Sequence, residues 1–158
     1  MSVQYTFNLG INEPLDTLIG QIAHECGMRY DDHGVYPGGI FPTLVADGII
    51  AAIMPQTPLG DQVIRESYGF GTSALISCTV DKFESYLVGM QRLLRLCAIL
   101  AVNLTCDFVL LVNGETGWLL RKNGLIFLDE RDENWRKHWT DVLAEYGLVV
   151  TLANLPSL

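Results

Sequence analysis

Residues 106–132 read CDFVLLVNGETGWLLRKNGLIFLDERD, and this stretch decides the fold. It holds three apolar runs that are joined by two Asn-Gly pairs, Asn113-Gly114 and Asn123-Gly124. Two-residue hairpin turns prefer Asn-Gly, because both central residues of such a turn adopt positive φ. We therefore predict an antiparallel meander. Its strands are apolar at nearly every position, which indicates that both faces of the sheet are covered.

Apolar spacing outside the meander predicts three helices. The first covers residues 13–26, with Asn12 as its N-cap and Gly27 at its end. The second is a central helix of about twenty residues that begins after a capping Asp81. The third covers residues 135–146, where Trp and aliphatic side chains recur on one side.

Strands are predicted by alternation and by turn residues. Residues 3–9 alternate apolar and polar side chains, which is typical of a half-buried strand. Residues 28–57 are strand-like and are interrupted by Asp47-Gly48, a hairpin signal. Residues 72–80 predict another strand, and residues 148–155 fit either a last strand or an extended tail.

These elements predict one α+β domain over residues 1–158. Their order is β-α-βββ-α-βββ-α, with residues 59–71 open between a short helical turn and an irregular connection. Short hairpin connections leave no room for crossover helices, so we expect a mainly antiparallel sheet with three helices. A chain of this length buries about 70% of its unfolded surface around a single core.

The charge of the chain is negative and unevenly distributed. Its 18 acidic and 10 basic residues give a net charge of -8, and residues 1–64 hold seven acids and one base. Nucleic acids are bound largely through Lys and Arg, so we expect no nucleic-acid partner. A basic protein partner fits this charge, because complementary charge accelerates association. The apolar content of 49% is also compatible with a homodimer.

Cysteine and histidine spacing predicts neither a metal site nor a cofactor. The four cysteines, at positions 26, 78, 97 and 106, form no CxxC pair, and the three histidines are scattered. The chain opens with strand-like residues rather than a secretory leader, so we expect a cytoplasmic protein with reduced thiols. The longest apolar run, within residues 93–104, is shorter than the about 20 residues of a membrane span.

Three motifs invite a catalytic interpretation, and each has a simpler one. GFGTS at residues 69–73 lacks the Lys of a phosphate-binding loop and precedes a strand, so we interpret it as a turn. Asp31, Asp32 and His33 form a polar loop whose groups are expected to stay solvated. Glu115 with Arg121 shows no further catalytic partner. We therefore predict that the protein is not an enzyme.

Candidate contact residues are the acids of the first half of the chain and two residues of the meander. Glu115 is either a surface charge beside a turn or a contact with a partner. Trp118 either packs in the core or contacts a partner as an aromatic anchor. The predicted contacts are Asp31, Asp32, Asp47, Asp61, Glu115 and Trp118.

The sequence resembles the Sit-type immunity family, whose members protect bacteria from contact-delivered toxins. The matching residues lie within 68–128: YGF, TVDKFE at 79–84, and DFVLLVNGE followed by WLLR. The opening QYTFNL also resembles the first strand of that family. Cys106 and Phe108 depart from the small residues that the family has around Asp107.

The resemblance implies a cytoplasmic, non-catalytic inhibitor that binds one cognate toxin domain, a nuclease-like basic domain being the partner that the charge favours. It brings no catalytic motif with it. Two alternatives stay open. One is a module that binds a small molecule or peptide between the central helix and the meander, and the other is an uncharacterised hydrolase.

Overall fold

A computed structural model describes residues 2–12, 14–36, 39–131 and 133–158. Its helices and strands alternate along the chain. In order they are β1 (Ser2–Leu9), α1 (Asp16–Cys26), β2 (Arg29–Tyr36), β3 (Gly39–Ala46), β4 (Ile49–Pro55), α2 (Pro58–Tyr68), β5 (Ala74–Asp81), α3 (Tyr86–Asn103), β6 (Phe108–Val112), β7 (Thr116–Lys122), β8 (Leu125–Asp129), α4 (Arg136–Glu145) and β9 (Val150–Ala153).

All nine strands of the described residues belong to one sheet, in the order β2-β3-β4-β5-β1-β6-β7-β8-β9. The first strand is central, because β5 pairs with one side of it and β6 with the other. The chain therefore builds β2 to β5 on one side of β1. It then crosses the sheet through α3 and builds the meander on the other side.

The predicted architecture of three helices with a mainly antiparallel sheet is wrong. The described residues form four helices and nine strands in one mixed sheet, because β9 pairs parallel to β8. Parallel pairing needs a crossover between the two strands, and α4 supplies it. Residues 150–153 are thereby a strand rather than an extended tail.

The additional helix is α2, which covers most of the segment that the sequence left ambiguous. Thr57 accepts a hydrogen bond from the Gly60 N–H, and Pro58 stands in the first turn. Gly69 ends the helix at φ 79°. Only Ile64 and Tyr68 of this helix are buried, so its apolar stripe is too narrow to stand out in the sequence.

The starts of two helices differ from the prediction, although their apolar faces do not. Asp81 is the last residue of β5, and α3 begins after Ser85. Leu15 rather than Asn12 precedes α1, and its side chain makes no capping bond. Gly27 ends α1 with φ 64°, as predicted. Both helices thus begin without the side-chain cap that the sequence suggested.

Apolar residues cover the meander on both faces, as its sequence predicted. The main core packs α1, α3 and α4 against one face. A second cluster covers part of the opposite face with α2 and the carboxyl-terminal tail; its buried members are Ile64, Tyr68, Phe70, Val109, Leu111, Leu120 and Leu155.

Candidate interaction surface

Several acidic residues of the first 64 residues lie together on one side of the sheet. Strands β2, β3 and β4, which lie within the acidic first 64 residues, form one side of the sheet, and β2 is its edge. Asp31 and Asp32 lie on this edge strand, and Asp47 lies in the turn that joins β3 to β4. Three of the six predicted contacts therefore lie on the same side of the molecule.

A β-bulge shapes the acidic edge. The pairing of β2 with β3 shifts register between Asp31 and Gly34. Asp31 Oδ1 accepts a 3.0 Å hydrogen bond from the His33 N–H, while Asp32 Oδ1 lies 3.4 Å from His33 Nδ1. The Asp32 side chain is 68% exposed. These carboxylates meet solvent at a strand edge, where charge also discourages uncontrolled strand pairing.

The β2–β3 hairpin is fixed to the sheet beyond the bulge. The Tyr36 hydroxyl lies 3.1 Å from Ser77 Oγ and 2.7 Å from Thr79 Oγ1 on β5. Gly34 lies so close to the Thr43 side chain that a Cβ at this position would overlap it. Buried Tyr36 therefore ties β2 to β5 across the face of the sheet that lies opposite the main core.

This arrangement turns two apolar side chains of the hairpin to solvent. Val35 and Ile40 are directly paired across β2 and β3, and they are 86% and 67% exposed. The sequence reasoning missed them. Alternation along a strand places Val35 and Tyr36 on opposite faces, but it does not show which of the two is buried.

Asp47 is exposed at the tip of a turn that rests on α3. Its carbonyl oxygen accepts a 3.3 Å hydrogen bond from Arg92 Nη1. The next residue, Gly48, has φ 83° and lies directly against Gly89 of α3. Backbone atoms thus hold the turn against α3, and the exposed Asp47 carboxylate takes no part in these contacts.

Asp61 lies apart from the other acids, in the first turn of α2. Its carboxylate forms a 2.9 Å ion pair with Arg65 Nε and accepts a 2.6 Å hydrogen bond from the Thr72 N–H. These contacts, with the hydrogen bond from Arg65 first, hold the pKa of Asp61 below its usual value. The carboxylate therefore fastens the loop that follows α2. A contact with a partner stays a prediction.

Glu115 and Trp118 differ in their surroundings although they share the β6–β7 hairpin. Glu115 is exposed beside the turn, where Asn113 and Gly114 adopt φ values of 51° and 72°. Trp118 is the additional residue of a bulge, since Leu110 pairs with Leu119 and Leu111 pairs with Gly117. Its side chain consequently faces the main core.

Trp118 packs edge-to-face against two aromatic rings of that core. The ring centroids lie 5.2 Å from Tyr5 and 6.0 Å from Trp139. Such pairs contribute about 0.5–1.5 kcal/mol beyond the burial of their surface. Trp118 thereby joins β7 to β1 and α4, and its predicted role at an interface is untested.

The cysteines of the described residues are shielded rather than activated. Burial raises the pKa of Cys26 to about 12 and raises the pKa of Cys78, Cys97 and Cys106 as well. A thiolate nucleophile requires the opposite shift. Within the described ranges, no three His, Cys, Asp or Glu side chains are grouped so that they could hold a metal ion.

A cavity lies between the end of α3 and the start of the meander, where the binding-module alternative places its ligand. Its volume is about 520 Å³, and Asn12, Asn103 and Asp107 contribute to its lining. Polar surface predominates in this lining, whereas small-molecule pockets are mostly apolar. The cavity therefore does not favour that alternative.

Helix α3 is the one described helix that is long and apolar enough to cross a membrane by length and composition. It covers 18 residues, of which 56% are buried within the protein. Its buried residues belong to the main core. The same helix pattern is found in the core helices of soluble proteins.

Comparison with known proteins identifies the family. A SitI3-like family model matches residues 3–139, from β1 into α4, and this range includes the acidic edge. No match was found among curated proteins or among solved structures. Because the family match extends over most of the chain, the protein belongs to the SitI3-like family.

Proposed function

We propose that the protein is an immunity protein, which binds a cognate toxin domain in the cytoplasm and blocks it without catalysis. The family match over residues 3–139 carries this proposal. The shielded thiols and the absence of a grouped metal-ligand set in the described residues are compatible with inhibition by binding. The bacterium that produces the toxin would be protected by occupation or displacement of the toxin's active surface.

The acidic edge supports a basic partner for this interaction. Asp31, Asp32 and Asp47 lie on the half of the sheet formed by the first 64 residues, and their side chains are at least partly exposed. Complementary charge steers two proteins together and accelerates association, and salt screens this attraction over about 8–10 Å. We therefore expect the association rate to fall as the salt concentration rises.

Charge reversal tests the role of the acidic edge. In Asp31→Lys/Asp32→Lys, affinity for a toxin domain encoded by a neighbouring gene should fall at least about tenfold, mainly through slower association. Stability should stay within about 1 kcal/mol, because both positions are on the surface. Surface plasmon resonance at low and high salt, together with thermal melting, measures both quantities.

A matched control makes the same change of charge elsewhere. Asp141 and Glu145 are exposed on α4, and Asp141→Lys/Glu145→Lys alters the net charge equally. If steering is local to the β2 edge, this variant should associate nearly as fast as the wild type. Equal losses in the two variants would show that only net charge matters, and unchanged binding of the β2 variant would remove the edge from the interface.

A further inference from the structure

We propose that the toxin domain docks on the outer face of the β2–β3 hairpin, with Val35 and Ile40 as the apolar centre of the contact. Asp32, which is exposed in the bulge of the same edge strand, forms its acidic border, while Asp31 lies on the opposite face of that strand. This inference depends on the proposed function and adds the place of contact and the chemistry of the partner. The partner surface would be basic, with an apolar group at its centre.

The exposed pair is unusual in its position rather than in its composition. Isolated exposed apolar residues are common on proteins, but Val35 and Ile40 are direct cross-strand neighbours and form one contiguous patch. They are 86% and 67% exposed. Apolar patches bordered by polar residues are typical of protein interaction sites.

The hairpin that carries this patch is organised before any partner arrives. Tyr36 is 8% exposed and hydrogen bonds to Ser77 and Thr79, while Gly34 packs closely on Thr43. A partner would therefore find Val35 already turned outward. Pre-organisation of this kind reduces the entropy that is lost on binding.

The acidic border determines which partner fits. Asp32 is three residues from Val35 in the same strand, so their Cα atoms are no more than about 10 Å apart. Strand β2 carries two acids, Asp31 and Asp32, and one base, Arg29, so a symmetric pair of two copies through β2 would bring four carboxylates and only two guanidinium groups to one edge. Opposed like charges disfavour such a pair, whereas Lys and Arg of a different protein would neutralise the border.

The opposite edge of the sheet provides a matched control. Val149 is 86% exposed and Leu152 is 47% exposed, and strand β9 (Val150–Ala153) contains no charged residue. These side chains match Val35 and Ile40 in size, but their strand carries no acid like Asp32 of β2. The two edges therefore separate the effect of apolar exposure from the effect of the proposed site.

The experiment measures the affinity of purified variants for a purified toxin domain that is encoded by a neighbouring gene and binds the wild type. Val35→Ser/Ile40→Ser should raise the Kd at least about tenfold, as loss of an interface centre does. Val149→Ser/Leu152→Ser should change the Kd less than about twofold. If the hairpin variant binds like the wild type, or if the β9 variant is the weaker one, the docking site is wrong although the proposed function stands.

A second pair of variants tests the partner's charge at one position. Val35→Lys and Val35→Glu place equally exposed charges at the patch, and circular dichroism shows whether both fold. Val35→Lys should weaken binding at least about fivefold more than Val35→Glu if the partner is basic. The reverse order would overturn the proposed partner chemistry, and a wild-type dimer that Val35→Lys dissociates would assign the patch to self-association. If the wild type binds no toxin domain, the proposed function itself fails.

Discussion

The contact between Gly48 and Gly89 allows one stability prediction to be worked out in detail. Gly89 lies in α3, where a Cβ atom would overlap the Gly48 carbonyl oxygen and lie 2.8 Å from its carbonyl carbon. The Gly48 carbonyl also accepts a 2.9 Å hydrogen bond from the Asp81 N–H. Gly89→Ala therefore places a methyl group against a fixed backbone turn rather than against a movable side chain.

Two opposing effects determine the size of the change. Alanine favours a helix over glycine by about 0.5–1 kcal/mol, whereas an added methyl group in a packed site costs about 1–3 kcal/mol. Because the turn is held by its own hydrogen bond, we expect the upper half of the packing range to apply. Gly89→Ala should thus lower the free energy of unfolding by about 1–2.5 kcal/mol.

Gly20 is the control for this prediction. It lies in α1, is exposed, and would have no atom within 4 Å of an added Cβ. Gly20→Ala should therefore stabilise the protein by about 0.5–1 kcal/mol. Thermal melting should show the two variants shifting in opposite directions by about 2–4 °C per kcal/mol. A Gly89→Ala variant as stable as the wild type would refute the close packing of α3 on the β3–β4 turn.

Three further properties of the fold can be measured. The folded-state pKa of Asp61 is lowered from its usual value of 3.8. The contribution of this carboxylate to stability is therefore present above pH 3.8 and is lost as the pH falls through the lowered pKa. In acid denaturation, the stability difference between the wild type and Asp61→Asn should shrink below pH 3.8. The pKa of buried Cys26 is raised to about 12, whereas Cys106 is only half-buried. A thiol reagent at neutral pH should therefore label Cys106 first. Early labelling of Cys26 would contradict the described core. Trp118→Ala should cost about 2–4 kcal/mol in chemical denaturation because it removes core packing, while Glu115→Ala should stay within about 0.5 kcal/mol; similar effects of the two changes would show that Trp118 does not support the core.

Local backbone chemistry made the hairpins predictable. Asn113 and Asn123 adopt φ values of 51° and 52°, which few residues other than glycine and asparagine tolerate, so the two turns could be located from the sequence. The β3–β4 turn at Asp47-Gly48 followed from the same argument. The apolar period of α3 likewise survives in the structure, where its buried residues form the centre of the main core.

Features that depend on distant parts of the chain were not predictable. The narrow buried stripe of α2 forms because a second cluster covers the far side of the meander, and β9 is parallel because α4 returns the chain to the start of β8. The bulge that turns Trp118 inward depends on the register of its partner strand. A period of two along a single strand contains no information about such a shift.

The candidate surface was predictable in charge but not in its apolar part. The exposure of Asp31 and Asp32 could be predicted from their residue types, but the polar loop predicted for them is part of strand β2 at the edge of the sheet. Val35 and Ile40 would ordinarily be assigned to a core. Their exposure depends on the bulge before Gly34 and on the hydroxyl contacts of Tyr36, which become visible only in three dimensions.

The proposal that this chain is an immunity protein is tested most directly by growth. Cells that express a toxin domain encoded by a neighbouring gene are compared with and without co-expression of this chain, and with a folded but unrelated acidic protein as the control. The proposed function predicts that this chain restores growth and co-purifies with the toxin domain, while the control protein does neither. Continued growth arrest in the presence of the folded chain would contradict the proposal.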